Sequence, residues 1–243
     1  MTLRALAFLA LTVSTSGAEQ PASFETATIR AITVDPDTIP SYKTDPGRIA
    51  YRNVTLRDCI RLAWNLQDFQ IEAPKSINAF RFDLTATTSA PATEAEMRLL
   101  LRKLLIERFS MKVREETREL PGFLLTARGK TKLTPSDPNR EFGREWSQGK
   151  MSFQHVTMEQ FVGVLSGYTG RHVSDNTGLT DYYDFSLVVS DDPADAKGIM
   201  RGNEVGDVIV STIQSQLGLR LEPHKSPTRM LIVDRAEKVP FEN

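Results

Sequence analysis

An internal repeat constrains the fold of this chain more than any other feature. The segment GRIAYRNVTL at residues 47–56 returns as GKMSFQHVTM at residues 149–158, with every position but one identical or similar in character. Two shorter matches follow in the same order, pairing 82–84 with 183–185 and 109–113 with 217–221. The offset between the matched segments drifts because loops differ in length. Three matches in one order predict two tandem copies of a unit of about 90–100 residues.

Each copy has the same pattern of predicted elements. A strand is predicted at 49–54 and again at 151–156, and a threonine follows each strand where a helix N-cap belongs, Thr55 and Thr157. After this first helix come two extended segments and a second apolar-periodic helix, at 94–108 and 205–216. A hairpin is predicted to close each copy, joining 111–115 to 123–127 and 219–223 to 230–233.

The pattern predicts an α+β fold made of two tandem β-α-β-β-α-β-β repeats. Helices are expected to pack on one face of small mixed or antiparallel sheets. The first repeat is assigned to residues 19–129, with an extra N-terminal strand near 24–34, and the second to residues 149–243. Residues 130–148 form the predicted linker, because they are rich in proline and polar residues and show no apolar period.

Residues 1–18 have the composition of a signal peptide. Arg4 precedes an apolar run at 5–13, and the small residues Ser16 and Ala18 stand where a cleavage site requires them. The run is shorter than the about 20 residues that span a bilayer. Cleavage after Ala18 would leave 243 − 18 = 225 residues with a net charge of 29 − 31 = −2. No later run of 18 apolar residues follows, so we expect a periplasmic or extracellular protein without a membrane span after cleavage.

Composition excludes several classes of function. The near-zero charge balance of 30 basic and 31 acidic residues argues against a nucleic-acid partner. The single cysteine, Cys59, excludes an internal disulfide and an all-cysteine metal site, and its place on an apolar helix face is typical of a small buried residue. The three histidines lack metal-ligand spacing, and the sequence has no glycine-rich phosphate loop. We therefore assign no catalytic, cofactor-binding or metal-binding residue from the sequence. The basic run that includes Arg98 is offset by neighbouring glutamates and predicts a solvated, salt-bridged helix face.

Four polar residues are candidates for a site between the repeats. His172 and Ser174 fall on one side of a predicted strand, with Asp175 next to them. Asp184 follows an aromatic residue, as Asp83 does in the first copy. Because the two aspartates occupy equivalent places in separate units, the sequence favours a structural role for them, such as holding a nearby backbone amide. The alternative hypothesis of a hydrolase would instead place His172, Ser174, Asp175 and Asp184 in its site.

The order of motifs resembles a known family. The strings FETATIR at 24–30, NVTL at 53–56, RFDL at 81–84, LLIERF at 104–109, REETRELP at 114–121 and VSDNTGL at 173–179 carry the resemblance, followed by QLGL at 216–219 and LIVD at 231–234. The chain resembles the soil-associated, exported protein family of unknown function that is expanded in Acidobacteria, over nearly the whole mature chain. The resemblance brings no known activity. Some relatives are fused to a membrane metallopeptidase of the penicillin-sensing type, which implies an extracytoplasmic sensing or interaction role.

A weaker resemblance concerns residues 153–165, FQHVTMEQFVGVL. This segment is similar to the opening strand and helix of the small periplasmic modules of secretins and TonB-dependent receptors. Such modules bind other proteins, often by adding a strand at a sheet edge. The likeness is one of fold, which by itself does not give function.

These observations favour a non-enzymatic exported binding or interaction module of the cell envelope. Its partner would be an envelope protein, a peptide or a cell-wall fragment, and no cofactor is expected. Two alternatives remain open. One is an extracytoplasmic hydrolase with a site between the repeats, and the other is a soluble ligand-sensing domain that works with a membrane protein and would need an apolar pocket.

Overall fold

Four helices and three four-stranded sheets make up the described part of the chain. The computed structural model describes residues 23–33, 38–127, 129–147, 149–189 and 203–241. The predicted α+β class is confirmed. The predicted signal peptide, 1–18, lies outside the described residues. Residues 23–127 are called the first half below, and residues 129–241 the second half.

The first half holds an antiparallel sheet with the order β1-β5-β3-β2. Its strands are β1 (Thr26–Ile32), β2 (Ser41–Asp45), β3 (Arg48–Thr55) and β5 (Arg81–Thr87). Helices α1 (Leu56–Trp64) and α2 (Glu94–Arg108) contact each other and bury their apolar faces in the same core as β3 and β5. Two short 3-10 turns, Asp68–Gln70 and Lys75–Asn78, lie between α1 and β5.

The second half holds the matching antiparallel sheet, with the order β7-β11-β9-β8. Its strands are β7 (Thr134–Pro135), β8 (Gly143–Ser147), β9 (Lys150–Val156) and β11 (Tyr183–Val188), and its helices are α3 (Met158–Thr169) and α4 (Asn203–Leu217). Strands β7 and β8 lie inside the segment predicted as a linker, so this segment contributes to the second sheet. The domain boundaries themselves stay predictions.

A third sheet joins the two halves. It has the order β10-β6-β12-β4 and contains β4 (Ile71–Glu72), β6 (Lys112–Ala127), β10 (Val173–Asn176) and β12 (Leu219–Arg235). Strands β6 and β12 pair antiparallel without a break from Leu219↔Ala127 to Val233↔Val113. The β4 strand of the first half runs parallel to β12, and the β10 strand of the second half runs parallel to β6.

The two predicted closing hairpins are therefore wrong, because each is one continuous strand. Pro121-Gly122 in β6 and Pro227 in β12 carry turn signals. The structure accommodates both prolines because β10 pairs only with residues 123–126 of β6, and β4 only with residues 231–232 of β12. Among the described residues, each strand has one unpaired side at these prolines, where a missing N–H leaves no ladder bond unmade.

The long strand pair belongs to both hydrophobic cores. Val113 of β6 packs against the first-half core, whereas Leu125 of the same strand is buried in the second-half core. Leu219 of β12 lies in the second-half core and Leu231 in the first-half core. Neither core is complete without a strand of the other half.

Both halves share the element order β-α-β-β-α-β and several local details. Thr55 and Thr157 each accept a hydrogen bond from a backbone N–H in the first turn of the following helix, which confirms both predicted N-caps. A bulge interrupts the pairing of β3 with β5 and of β9 with β11, and the bulged residues Asn53 and His155 have φ of 53° and 49°. That the halves are copies of one unit stays a prediction. Among the described helices, none is long and apolar enough to cross a bilayer.

Candidate functional site

A groove of about 1370 Å³ lies between the two halves. Helix α3 forms one wall along its length from Glu159 to Tyr168, and residues 61–70 with Arg98 form the wall from the first half. Phe142, which precedes β8, and Arg144 of β8 also line it. The volume exceeds the about 300–1,000 Å³ of small-molecule pockets, so the groove has room for part of a chain molecule.

A glutamine of the first half contacts the wall that α3 forms. The Gln67 side-chain amide donates a hydrogen bond to the main-chain oxygen of Gly163 at 3.3 Å. Gly163 leaves the surface of α3 open, since a Cβ built there meets no atom within 4 Å. A smaller pocket of about 160 Å³ in the first half shares Arg61, Asn65, Gln67 and Arg98 with the groove.

Three guanidinium groups line the groove, from three different elements. Arg61 is on α1, Arg98 on α2 and Arg144 on β8, whereas Glu159 is the one carboxylate among the described lining residues. Arg98 forms an ion pair with Glu94 at 2.5 Å. Arg144 is exposed and makes no ion pair with any residue that the structure describes. The lining therefore has an excess of positive charge.

Aromatic rings lie beside these charges. Phe142 is 51% exposed, and Phe69 is half-buried. Tyr168 stacks on Trp146 with ring centroids 6.4 Å apart, which fixes the tyrosine at the C-terminal part of α3. The groove thus offers apolar contact surface as well as charge.

Of the four residues predicted as site candidates, His172 lines the groove. Its main-chain oxygen accepts a hydrogen bond from the Phe123 N–H at 2.8 Å, and partial burial lowers the pKa of its imidazole. Ser174 lies on β10, where its Oγ is 3.3 Å from the Oγ of Ser226 on β12.

The two aspartates lie elsewhere. Asp175 accepts a hydrogen bond from the Thr177 N–H at 2.9 Å and so shapes the turn after β10. Asp184 lies on β11, in a different sheet, where it accepts from the His155 N–H at 2.8 Å and from Arg140 at 2.6 Å. No hydrogen bond of the described residues joins two of the four candidate side chains, so the structure does not assemble them into one catalytic group.

Asp83 and Asp184 hold the two bulges in the same way. Asp83 accepts from the Asn53 N–H at 3.0 Å and from Arg52 at 2.7 Å, as Asp184 does from His155 and Arg140. Each carboxylate binds the backbone amide of a residue in the left-handed region. The interpretation that these aspartates hold a backbone amide is confirmed.

A serine and a histidine that the sequence did not single out as a pair come together beside Asp184. The His155 Nδ1 is 3.3 Å from the Ser136 Oγ, and the imidazole stacks on Tyr182 with centroids 4.0 Å apart. In a hydrolytic triad the carboxylate would orient the imidazole. Here it binds the main-chain N–H of His155 and the Arg140 guanidinium instead, so this cluster serves the bulge rather than nucleophilic catalysis.

A family model described as "Protein of unknown function (DUF3738)" matches residues 57–236. The match covers three quarters of the sequence. The chain belongs to this family. Comparisons with curated proteins and with solved structures gave no match.

The DUF3738 match contains every residue that lines the groove, from Arg61 to Val173. It begins after β3 ends at Thr55, so β1, β2 and β3 lie outside it. The family description names no activity.

Metal binding and thiol chemistry find no support in the described residues of this DUF3738 protein. In the described residues, no three histidine, cysteine or acidic side chains are grouped so as to hold a metal ion. Cys59 is 2% exposed on the core face of α1, and burial raises the pKa of its thiol. The interpretation of Cys59 as a small buried residue is confirmed.

We expect the Asp184→Asn variant to be less stable than the wild type at neutral pH. The hydrogen bond from the His155 N–H, together with side-chain hydrogen bonds from Ser136 and Arg140, holds the pKa of Asp184 below its ordinary value. A carboxyl whose pKa is lower in the folded state stabilises the fold above its unfolded pKa, and this contribution disappears as the pH falls through the folded pKa. The difference in free energy of unfolding between variant and wild type should therefore shrink below about pH 4.

Urea unfolding at a series of pH values measures this difference. Asp175→Asn is the matched control, because asparagine can accept the same turn hydrogen bond from Thr177. If the difference in free energy of unfolding between wild type and Asp184→Asn stayed constant from neutral to acidic pH, the lowered pKa of Asp184 would be contradicted.

Proposed function

We propose that this DUF3738 protein is an exported, non-enzymatic binding protein of the cell envelope, with its ligand in the groove between the two halves. The observation that carries the proposal is the groove itself, about 1370 Å³ in volume and lined by both halves. Export is supported by the charge, apolar length and small residues of the predicted signal peptide at 1–18.

The groove is better suited to binding than to catalysis. Its described lining combines arginines, side-chain amides and aromatic rings, which hold a ligand through charge, hydrogen bonds and apolar contact. The hydrolase alternative has less support, since Asp184 is bound to His155 and Arg140 and Asp175 to its own turn. A ligand-sensing role would use the same groove.

Site-specific photocrosslinking tests the proposal. Benzoylphenylalanine is introduced in place of Gly163, which faces open space in the groove, in cells that make the protein. The matched control carries the same group in place of Leu99, which is 57% exposed on α2 and does not line the groove. We expect covalent adducts from position 163 that position 99 does not give, on a chain that begins at Glu19.

Two results would contradict this. Identical adducts, or none, from positions 163 and 99 would argue against a ligand in the groove. Recovery of the chain only inside the cell with residues 1–18 attached would argue against export.

A further inference from the structure

We propose that the ligand of the groove is an acidic polypeptide segment bound in an extended conformation. This inference rests on the proposed function, because it names the ligand class of the same groove. The charges that line the groove, its side-chain amides and the edge of β8 support this ligand class.

The charges favour a ligand with more than one carboxylate. Arg61, Arg98 and Arg144 come from α1, α2 and β8, so their guanidinium groups are held on separate parts of the scaffold. Arginine binds carboxylates through two parallel N–H···O bonds. Arg144 has no ion-pair partner in the described chain, and Arg98 shares its charge only with an exposed glutamate, Glu94. A ligand with carboxylates at intervals would complement these groups.

The side-chain amides favour a polypeptide over a simple polyanion. Asn65, Gln67, Gln70 and Gln160 line the groove. Within the chain, Gln70 already uses its Oε1 and its Nε2, Gln67 its Nε2, and Gln160 its Oε1. The exposed Asn65 amide offers both a donor and an acceptor, as a peptide group does. The partly exposed rings of Phe69 and Phe142 can contact apolar side chains between the acidic ones.

The edge of β8 supplies main-chain partners at the same place. Among the described strands, β8 is the outermost of its sheet and pairs with β9 on one side, from Ser147↔Lys150 to Gly143↔Gln154. In an antiparallel pair alternate residues bond to the neighbouring strand, so alternate N–H and C=O groups of β8 point away from β9. The side chain of Arg144 lines the groove from this strand. A polypeptide has alternating main-chain groups at the spacing needed to pair with such an edge.

Fluorescence anisotropy with labelled peptides tests the ligand class. The probes are a decapeptide of alternating Glu and Val and its counterpart of alternating Lys and Val, added to the mature protein. We expect the acidic peptide to bind, the basic one not to, and binding to weaken as salt is raised because exposed charges are screened. We expect Arg144→Glu to weaken binding by about tenfold or more, a change of about 1.4 kcal/mol.

Two variants make the test specific. Lys225→Glu on β12 changes the net charge by the same amount outside the groove and should bind the acidic peptide as the wild type does. Arg144→Gln removes the charge without reversing it and should give a smaller loss than Arg144→Glu. Because Arg144 is exposed, neither Arg144→Gln nor Arg144→Glu is expected to disturb folding, which circular dichroism checks.

Several outcomes would overturn the inference. These are no binding of the acidic peptide, equal binding of the basic peptide, equal losses from Arg144→Glu and Lys225→Glu, or binding of oligogalacturonate in place of the peptide. If position 163 still gives specific adducts in cells, the proposed function stands and only the ligand class fails. If position 163 gives no adducts either, both fail.

Discussion

Replacing Phe161 with alanine is expected to lower the free energy of unfolding by about 3–5 kcal/mol. The ring is completely buried in α3 and meets Phe153 and Phe185 edge to face, with centroids 5.2 Å and 4.8 Å away. Phe153 and Phe185 stack on each other at 4.9 Å, so Phe161 completes a cluster of three rings. Alanine would leave a cavity and remove two aromatic contacts worth about 0.5–1.5 kcal/mol each beyond area burial.

Urea unfolding measures the loss, with Leu99→Ala as the surface control. Leu99 is 57% exposed, so its truncation is expected to change the free energy of unfolding by less than about 0.5 kcal/mol. A loss of under about 1 kcal/mol for Phe161→Ala would contradict the packing of the second-half core.

The loss of stability caused by Phe161→Ala is expected to affect the first half as well. The two tryptophans report on the two halves, because Trp64 is buried in the first-half core and Trp146 packs against the second-half core. In Trp146→Phe and Trp64→Phe backgrounds, Phe161→Ala should shift the unfolding midpoint of both reporters equally, since β6 and β12 each belong to both cores. An unchanged midpoint at Trp64 would mean that the halves unfold independently.

Gly122→Ala is expected to lower the free energy of unfolding by about 2–4 kcal/mol, combining overpacking with a lost hydrogen bond. A Cβ at Gly122 would stand 2.2 Å from the main-chain oxygen of His172. This oxygen accepts the N–H of Phe123, so relief of the clash would move β10 away from β6. No side-chain rotation can relieve the clash, because the atom that is approached belongs to the backbone.

Gly163→Ala is the matched substitution with the opposite expected sign. Its Cβ meets nothing within 4 Å, and glycine inside a helix is about 0.5–1 kcal/mol less favourable than alanine. Thermal and urea unfolding of both variants compare the two positions directly. Equal effects at Gly122 and Gly163 would show that β10 does not approach β6 as described.

Local elements were predictable because their signals are local. The second helix of the first half was predicted at 94–108 and is α2, Glu94–Arg108. The apolar residues at helical spacing are buried, and they are Met97, Leu100, Leu101, Leu104 and Leu105. Leu99 and Ile106 fall outside this spacing and are exposed. The caps at Thr55 and Thr157 depend only on a side chain and a backbone N–H three residues away.

Two of the edge strands gave no such signal. Strand β2 has the sequence SYKTD and β8 the sequence GREWS, and most of their residues are exposed. A strand without a buried face shows no alternation of apolar and polar residues, so its sequence reads as a loop. This is why the sequence predicts a linker at β8, although this strand borders the candidate site.

The site was only partly predictable. A location between the two halves was one of the hypotheses, and of its four residues His172 lines the groove. The sequence predicts that Arg98 lies on a solvated, salt-bridged helix face, and its ion pair with Glu94 agrees with this prediction. Its place in the groove, with Arg61 and Arg144, depends on three elements that meet only in the folded chain. No spacing within the sequence could bring them together.

By itself, the sequence determined the helices, their caps, the α+β class and the structural role of Asp83 and Asp184, because each depends on nearby residues or on a pattern repeated along the chain. The tertiary structure alone decided that Pro121-Gly122 and Pro227 continue strands rather than turn them. A turn signal describes what a backbone can do locally, whereas the pairing of β6 with β12 depends on partners about a hundred residues apart in the chain. The same long-range pairing holds the two halves side by side and leaves the groove between them.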